Sequence, residues 1–273
     1  MSKYVKPESR QVASARVVAS KRISPNFIRV TIAGEELDSV TPMGFDQWFR
    51  MFFPRPDQDS LRLPTSASTF WFAQWKLMSK ETRPDVRNYT IRNIRPAGTG
   101  QHGETTEIDI DFAAHGDLGP ASAWAGRAAD GDEVAILDEG LVYNPAPDAD
   151  WQLLVGEESA LPAIVGILNS APADLRAEVF IEIPHADDAQ DISELGDNVN
   201  IHWLVREDPD ARPGTLALET VKQAELPSGT CYAFVAGESA LATGLRRHLV
   251  SERNVPKSHI AFTGYWRFGR ASA

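Results

Sequence analysis

Cysteine is almost missing from this chain of 273 residues: Cys231 stands alone. One thiol can form neither an intramolecular disulfide nor a cysteine-based zinc site. Long apolar runs are missing as well. No window of ~18 consecutive apolar residues occurs, so no transmembrane helix is expected. The opening stretch MSKYVKPESRQ has no apolar core of a secretory signal, so none is expected there. An excess of cations is also lacking. Lys and Arg number 27 against 38 Asp and Glu, a net charge of −11, which argues against a protein that coats nucleic acid. These absences lead to the expectation of a cytoplasmic protein that inserts in no membrane.

What is present is enough apolar material for a sizeable core, with 42% hydrophobic residues. At ~150 residues per domain the length suggests two domains. Charge is unevenly placed: residues 1–147 sum to −2, residues 148–238 to −14 and residues 239–273 to +5. The basic end is either a solvated terminus or a local docking site for an anion.

The first half reads as β. Ala15–Ala19 and Phe27–Ile32 alternate apolar and polar positions around the turn Ser24-Pro25-Asn26. Further strands are expected at Gln47–Phe53, Asn88–Ile94, Thr106–Ala113 and Glu133–Leu137, with a helix at Ala121–Ala128. Short strands at this spacing suggest a closed barrel. Trp71 and Trp75, four apart, suggest a short helix with an apolar face in the weakly patterned stretch 57–84. Composition changes near Asn144-Pro145-Ala146-Pro147-Asp148, a linker by its residues. Beyond it, apolar strands at Gln152–Val155, Glu178–Ile183, Asn200–Val205, Cys231–Ala236 and His259–Phe262 run among helices at Ala160–Ser170, Leu216–Lys222 and Ser239–Glu252. That pattern means a parallel, doubly wound sheet. The expected domains are residues 1–147 and 148–273.

Four segments can carry chemistry. Arg87-Asn88-Tyr89-Thr90-Ile91-Arg92 sits on a strand, where alternation puts Arg87 and Tyr89 on one side and Asn88 and Thr90 on the other. A flavin needs a cation for its pyrophosphate, an aromatic face beside its ring and a hydroxyl or amide near N5, and these residues can supply all three. An ordinary amphipathic strand with a salt bridge fits the tetrapeptide too. The second segment, DFAAHGDLGPASAWA from Asp111, runs from a strand through a Gly-containing turn into a helix. Its first free amides near Ala121 and the Ser122 hydroxyl can hold a phosphate, with Pro120 in the first turn and His115 nearby. His115 reads equally as a surface residue.

The third segment, Gly156-Glu157-Glu158-Ser159-Ala160, is the first strand-to-helix turn of the second half, where dinucleotides bind in parallel sheets. It is not a GxGxxG, and two glutamates make a poor phosphate cradle. Ala236-Gly237-Glu238 holds the same kind of position later in the sheet. The fourth is the end of the chain, Gly264-Tyr265-Trp266-Arg267-Phe268-Gly269-Arg270, where aromatics alternate with arginines. It can cap the core or receive an anion. Arg267 and Arg270, three apart, share a face only if the segment turns or is helical. His185-Ala186-Asp187-Asp188, after the second strand of this half, places acid where a 2′-phosphate would sit.

Taken together, these segments resemble the siderophore-interacting protein family, flavin-containing ferric-siderophore reductases. The shared elements are RNYTIR, DFAAHGDLGPASAWA, GEESALPAI, AGESALATGLRRHL and GYWRFGR, in family order over roughly residues 12–270. Glu157-Glu158-Ser159 departs slightly from the family's more usual Asp-Glu-Thr. The resemblance implies a ferredoxin-reductase-like pair: an N-terminal antiparallel FAD-binding β-barrel, then a parallel α/β domain for NADH or NADPH. It implies hydride transfer to FAD and single-electron reduction of a ferric siderophore, with no catalytic acid or base and no resident metal. It assigns Arg87, Tyr89, Thr90, Asp111, His115, Ala121 and Ser122 to the flavin, and Glu158, Ser159, Gly237, Glu238 and Tyr265 to the cofactors' nicotinamide side. Arg50, Arg267 and Arg270 become the substrate-docking cations. A flavin reductase serving a protein acceptor and a non-enzymatic siderophore carrier are the alternative readings.

Overall fold

The computed structural model describes residues 4–64, 70–114, 119–192, 195–208 and 210–270. The chain divides into two compact units, Val5–Leu141 and Val142–Ala273 together with Met1–Tyr4. The division falls after Leu141, ahead of the proline-containing linker at which the composition changes.

Seven strands build the first unit: β1 (Val12–Ser24), β2 (Phe27–Ala33), β3 (Trp48–Phe53), β4 (Asp85–Thr90), β5 (Asn93–Arg95), β6 (Glu107–Ala113) and β7 (Glu133–Gly140). Their order is β4-β3-β7-β1-β2-β6-β5, and every neighbouring pair is antiparallel. The two outermost strands, β4 and β5, are consecutive in the chain. Only Ile91 and Arg92 separate them. Ile91 N–H donates to Gln47 O at 2.8 Å on one side of the seam, and Arg92 N–H to Asp109 O at 2.9 Å on the other. The two-residue link thereby draws the edges together and makes the sheet a barrel, which removes the exposed edges an open sheet would present. The single strand expected at Asn88–Ile94 is broken for this reason.

Alternation decides what the barrel buries. From β6, Ile108, Ile110 and Phe112 enter a core with Val30, Ile32, Phe49, Met51, Phe53 and Ile136. The other β6 face carries Glu107, Asp109 and Asp111, all buried. Register supplies their partners. Arg29 lies opposite Asp111 and Thr31 opposite Asp109 on β2, and Arg95 opposite Glu107 on β5. Arg29 grips Asp111 at 2.6 and 2.8 Å. Arg95 grips Asp109 at 2.7 and 2.8 Å and also reaches Glu107 at 3.0 Å, while Thr31 Oγ1 donates to Asp109 at 2.8 Å. Burial pushes the Asp109 carboxyl up, but bonds from Arg95 and Thr31 outweigh it and hold the group below its usual range.

Helix α1 (Trp71–Leu77) lies outside the barrel. Its Trp71 meets Phe52 edge-on at 5.6 Å and joins Phe52, Ala135 and Leu137 in a second small core, against which Trp75 packs. The tryptophan face is thus structural. Helix α2 (Pro120–Arg127) buries Ala121, Trp124 and Ala125 in the main barrel core.

The second unit alternates strand and helix: β8 (Trp151–Glu157), α3 (Leu161–Ser170), β9 (Ala177–Ile183), β10 (Val199–Val205), α4 (Thr215–Gln223), β11 (Cys231–Glu238), α5 (Ser239–Ser251) and β12 (Ile260–Trp266). The sheet order is β10-β9-β8-β11-β12, parallel throughout. The chain steps outward from β8 through β9 to β10, then returns to lay β11 on the other side of β8. The order reverses at the carboxyl ends of β8 and β11, the place where doubly wound sheets form their ligand crevice. Between β9 and β10 the described residues form a 3-10 turn at Ala186–Asp188 instead of a helix. Among the described residues, no helix is long and apolar enough to cross a membrane.

The Asp109 pair yields a stability prediction. Asp109→Ala strands two partners, Thr31 and the bidentate Arg95. Because the Arg95 side chain keeps 21% exposure, the cost falls below that of a fully buried pair, at roughly 2–3 kcal/mol. Arg16→Ala removes an exposed pair with Glu133 and costs under ~1 kcal/mol. Urea denaturation of both variants checks this ranking; equal losses would contradict it.

Candidate functional site

In the first unit, β4 sorts its side chains by alternation. Arg87 lies opposite Met51 and Tyr89 opposite Phe49, both members of the barrel core. The Tyr89 ring packs on Phe112, with centroids 4.3 Å apart. Burial raises the Tyr89 phenol, so it remains a hydrogen-bond donor at neutral pH. Phe112 meets Trp124 of α2 at 5.7 Å, and Trp124 meets Phe53 at 5.5 Å. This run of rings brings the Arg87–Thr90 strand and the start of α2 together. Thr90 is buried; Arg87 is half-buried and donates to Val86 O at 2.8 Å.

Gly119 precedes α2 in extended conformation, φ −151° and ψ 150°, which any residue adopts. A Cβ there would meet nothing within 4 Å among the described residues, so there is space at this position with or without glycine. That space lies before a helix start whose first-turn amides, Ala121 and Ser122 among them, have no intrahelical acceptor. Ser122 Oγ donates to Ala113 O at 3.2 Å, and Ala121 is buried. His115 lies outside the described residues. Asp111, assigned to the flavin by resemblance, has its carboxylate buried against Arg29, with Arg92 Nε 3.6 Å away. Arg50 stands on β3 with Nε 2.7 Å from Glu139, a buried carboxylate that also takes Arg10 at 2.6 Å and Lys6 at 3.3 Å. The Arg50 guanidinium lies over Trp71 at 5.0 Å. A cation, a phenol ring, a hydroxyl and a helix start with open space before it form the donor set a flavin dinucleotide needs. They all lie on this one unit.

In the second unit the strand ends at the sheet reversal carry four glutamates, Glu157, Glu158, Glu182 and Glu238, each fully buried. The two glutamates of the first turn are therefore no obstacle to an approaching phosphate; both are turned into the protein. Glu158 receives both terminal nitrogens of Arg206, at 3.0 and 2.7 Å. Arg206 also reaches Glu182 at 2.7 Å, and Glu182 takes the Gly214 and Ala217 amides at 2.9 and 3.0 Å. Glu238 accepts from Arg212 at 2.6 Å, from Ala240 N–H at 2.6 Å and from Phe268 N–H at 3.0 Å. Burial pushes Glu238 up, but Arg212 and the two amides outweigh it and hold the carboxyl below its usual range.

Glu157 differs. It accepts from Ser159 N–H at 2.9 Å, from the Ser159 hydroxyl, and from Trp266 Nε1 at 2.9 Å. Burial, reinforced by neighbouring Glu158, pushes its carboxyl up to about 8. Gly237, at φ +122°, makes room for it, because a Cβ there would lie 2.6 Å from Glu157 Oε1. Left-handed backbone and close approach both require glycine at that position. Tyr265 stands 38% exposed near the end of β12. Arg267 and Arg270, both exposed, form a turn closed by Arg270 N–H on Arg267 O at 3.1 Å, with Gly269 at φ +72°. The expected turn is present, and β12 runs on to Trp266, past the Phe262 end expected for it.

Three partners had no place in the sequence reading: Arg206, Arg212 and Glu182. No motif marks them. The available signal is the doubled glutamate closing an apolar strand, since buried acids demand donors somewhere in the chain.

A closed antiparallel barrel followed by a five-stranded parallel sheet is the architecture of ferredoxin-reductase-like flavoproteins. The ferredoxin reductase of a carbazole 1,9a-dioxygenase shares this fold at a TM-score of 0.61, with 15% identity, covering 97% of this chain and 72% of that one. The chain belongs to the siderophore-interacting protein family: residues 16–142 match the siderophore-interacting FAD-binding domain and residues 149–269 the siderophore-interacting protein domain. The ferric vibriobactin reductase ViuB of Vibrio cholerae is 32% identical over 255 residues, 93% of this chain and 88% of that protein. The NADPH-dependent ferric-chelate reductase of Escherichia coli K12 is 29% identical, covering 92% and 91%. Among solved structures, a siderophore utilization protein from T. fusca has a TM-score of 0.81 at 27% identity, covering 98% and 97%. The siderophore-interacting protein SipS from Aeromonas hydrophila has 0.77 at 28%, covering 96% and 93%.

Glu157 gives this site a measurable signature. Its carboxyl is ordinary, near 4.5, when unfolded and about 8 when folded. Below pH ~4.5 both states hold the proton and nothing is lost. As pH rises toward 8 the unfolded chain releases it while the folded chain keeps it, so stability falls by about 1.4 kcal/mol per pH unit. Glu157→Gln keeps the shape without the ionisation. Its stability advantage over wild type grows between pH 5 and 8 and then levels off; an advantage constant across pH contradicts the assignment.

Proposed function

We propose that this protein is a cytoplasmic ferric-siderophore reductase that uses NADH or NADPH and FAD. The observation that carries the reading is the order of its two units. A barrel of the FAD-binding domain family is followed by a parallel sheet whose strand order reverses at β8 and β11, and named reductases align over more than nine-tenths of the chain. FAD, when bound, accepts a two-electron hydride and gives electrons up singly. One NAD(P)H thus converts two Fe(III) to two Fe(II) and yields one NAD(P)+ and one proton. Hard oxygen chelators hold Fe(III) far more tightly than Fe(II), so reduction releases the iron.

This chain's residues bind and orient. Arg87 supplies the pyrophosphate with a charge-assisted hydrogen bond, Tyr89 lays its ring beside the isoalloxazine, and Thr90 offers a hydroxyl to it. The start of α2, through Ala121 and Ser122, holds phosphate oxygens, with His115 beside them. Ser159, Gly237 and Tyr265 shape the nicotinamide crevice, which Glu158 and Glu238 hold from beneath. Asp111 acts one step removed, by fixing Arg29 and the β2–β6 pair. The exposed Arg267 and Arg270 receive an anionic chelate locally, on a chain whose net charge would repel it. Arg50, held by Glu139, adds positive potential on the barrel unit.

Two outcomes are expected. Arg87→Ala loses a hydrogen bond to a charged group worth roughly 1.5–3 kcal/mol, so FAD affinity drops ~10- to 100-fold. Equilibrium dialysis measures this, and full flavin occupancy in the variant contradicts it. Neutralising Arg267 and Arg270 together raises KM for an anionic ferric catecholate several-fold, and for a neutral ferric hydroxamate less. The difference shrinks as salt rises, because exposed charges are screened over ~8–10 Å. Equal losses on both chelates, or no response to salt, return the turn to a structural cap.

A further inference from the structure

The turn bearing Arg267 and Arg270 is fastened to the two central strands of the second unit. Trp266 donates its indole N–H to Glu157 at the end of β8 at 2.9 Å. Its carbonyl accepts from Ser239 Oγ, at the start of α5, at 2.7 Å. Two residues on, Phe268 N–H donates to Glu238 at the end of β11 at 3.0 Å. Gly237 and Gly264 clear the space: added Cβ atoms would lie 2.6 Å from Glu157 Oε1 and 2.6 Å from Ser239 Oγ.

The two carboxylates that hold the turn are unlike. Glu238 has the Arg212 guanidinium at 2.6 Å and stays ionised. Glu157 is fully buried, and the Ser159 amide, the Ser159 hydroxyl and the Trp266 indole that donate to it are neutral. The charged and titratable groups around it are few. Glu158 adjoins it in sequence, and Glu182 lies opposite it on β9. Arg206 is shared between those two. Glu238 follows Gly237 on β11 with its Arg212, and Arg267 and Arg270 follow Trp266. As a carboxylate, Glu157 accepts all three hydrogen bonds with a charge behind each. As a neutral acid, one of its oxygens becomes a hydroxyl, a weaker acceptor that must itself place a proton.

We propose that Glu157 is a positioning residue: through the Trp266 indole it ties the Arg267–Arg270 turn to the end of β8, and proton uptake by its carboxyl loosens that tie. The turn is then held by Glu238 at one end throughout the neutral range and by Glu157 at the other in a pH-dependent way. Its consequence for substrate rests on the docking role given above to Arg267 and Arg270; the tie itself does not. Burial beside Glu158 puts the change near neutrality, with the Glu157 carboxyl at about 8.

The test follows the indole N–H resonance of Trp266 in the FAD-loaded protein, identified by its loss in Trp266→Phe, from pH 6.5 to 9.5. In wild type it shifts with one inflection near pH 8, and in Glu157→Gln it stays put. The protection factor of the Phe268 amide, its exchange rate relative to the intrinsic rate at each pH, rises several-fold across the same range in wild type only. A resonance without an inflection, or an inflection that survives in Glu157→Gln, overturns the proposal. KM for an anionic ferric chelate, taken as the ratio of wild type to Glu157→Gln, falls as pH rises through the inflection. A flat ratio alongside a titrating indole overturns the docking role of the turn and leaves the tie standing.

Discussion

A buried carboxylate must find donors inside the protein, and this acidic chain meets that demand repeatedly at the places that matter most. A carboxylate removed from water without partners costs several kcal/mol, and removing one partner of a buried pair exposes much of that cost. In the barrel, Glu107, Asp109 and Asp111 form one row along β6, answered by Arg95, Thr31 and Arg29 from the strands on either side. In the parallel sheet, Glu158 and Glu182 share Arg206, and Glu238 takes Arg212. The pairs fix register in the first unit and the shape of the strand ends in the second. Glu157, Glu158 and Glu238, at the β8–β11 reversal, are all buried.

The same demand explains the chain's basic end. With its acids concentrated in residues 148–238, the protein as a whole repels an anionic chelate. Three of those acids, Glu158, Glu182 and Glu238, are paired with Arg206 and Arg212, and the two arginines after Trp266 stand exposed. A local cation can then attract an anion over a Debye length although the net charge is negative. The turn that presents those arginines hangs from the buried glutamates, so packing at the strand ends and charge at the surface are one construction.

Periodicity made most of this legible. The alternation in β6 and the apolar runs of β8, β9 and β11 predict the strands, and Gly119-Pro120 predicts the start of α2. Periodicity says nothing about closure, however. Asn88–Ile94 looks like one strand because no Gly or Pro interrupts it; its alternation breaks at Arg92-Asn93, and the pairing of Ile91 with Gln47 and Arg92 with Asp109 shows that the chain crosses a seam there. On β4 the residue types of Arg87–Thr90 suit a flavin but suit an amphipathic strand as well, so the family resemblance and not the local pattern singles the segment out. Arg206 and Arg212 were not legible, since a guanidinium reads as surface charge until its carboxylate is known to be buried. Trp266 was legible as an aromatic near the chain's end, but its indole contact joins residues 109 apart in sequence, beyond the reach of any local pattern.

The central claim is that electrons pass from a reduced nicotinamide through FAD on this chain to chelated iron. An anaerobic single-turnover experiment addresses it directly. The FAD-loaded protein is bleached with one equivalent of NADH or NADPH, mixed with excess ferric siderophore and a coloured Fe(II) chelator, and followed at the flavin band. The account predicts full return of the oxidised flavin band with two Fe(II) captured per FAD. A flavin that bleaches but stays reduced in the presence of the ferric chelate, or that is not bleached by either nucleotide, would contradict it.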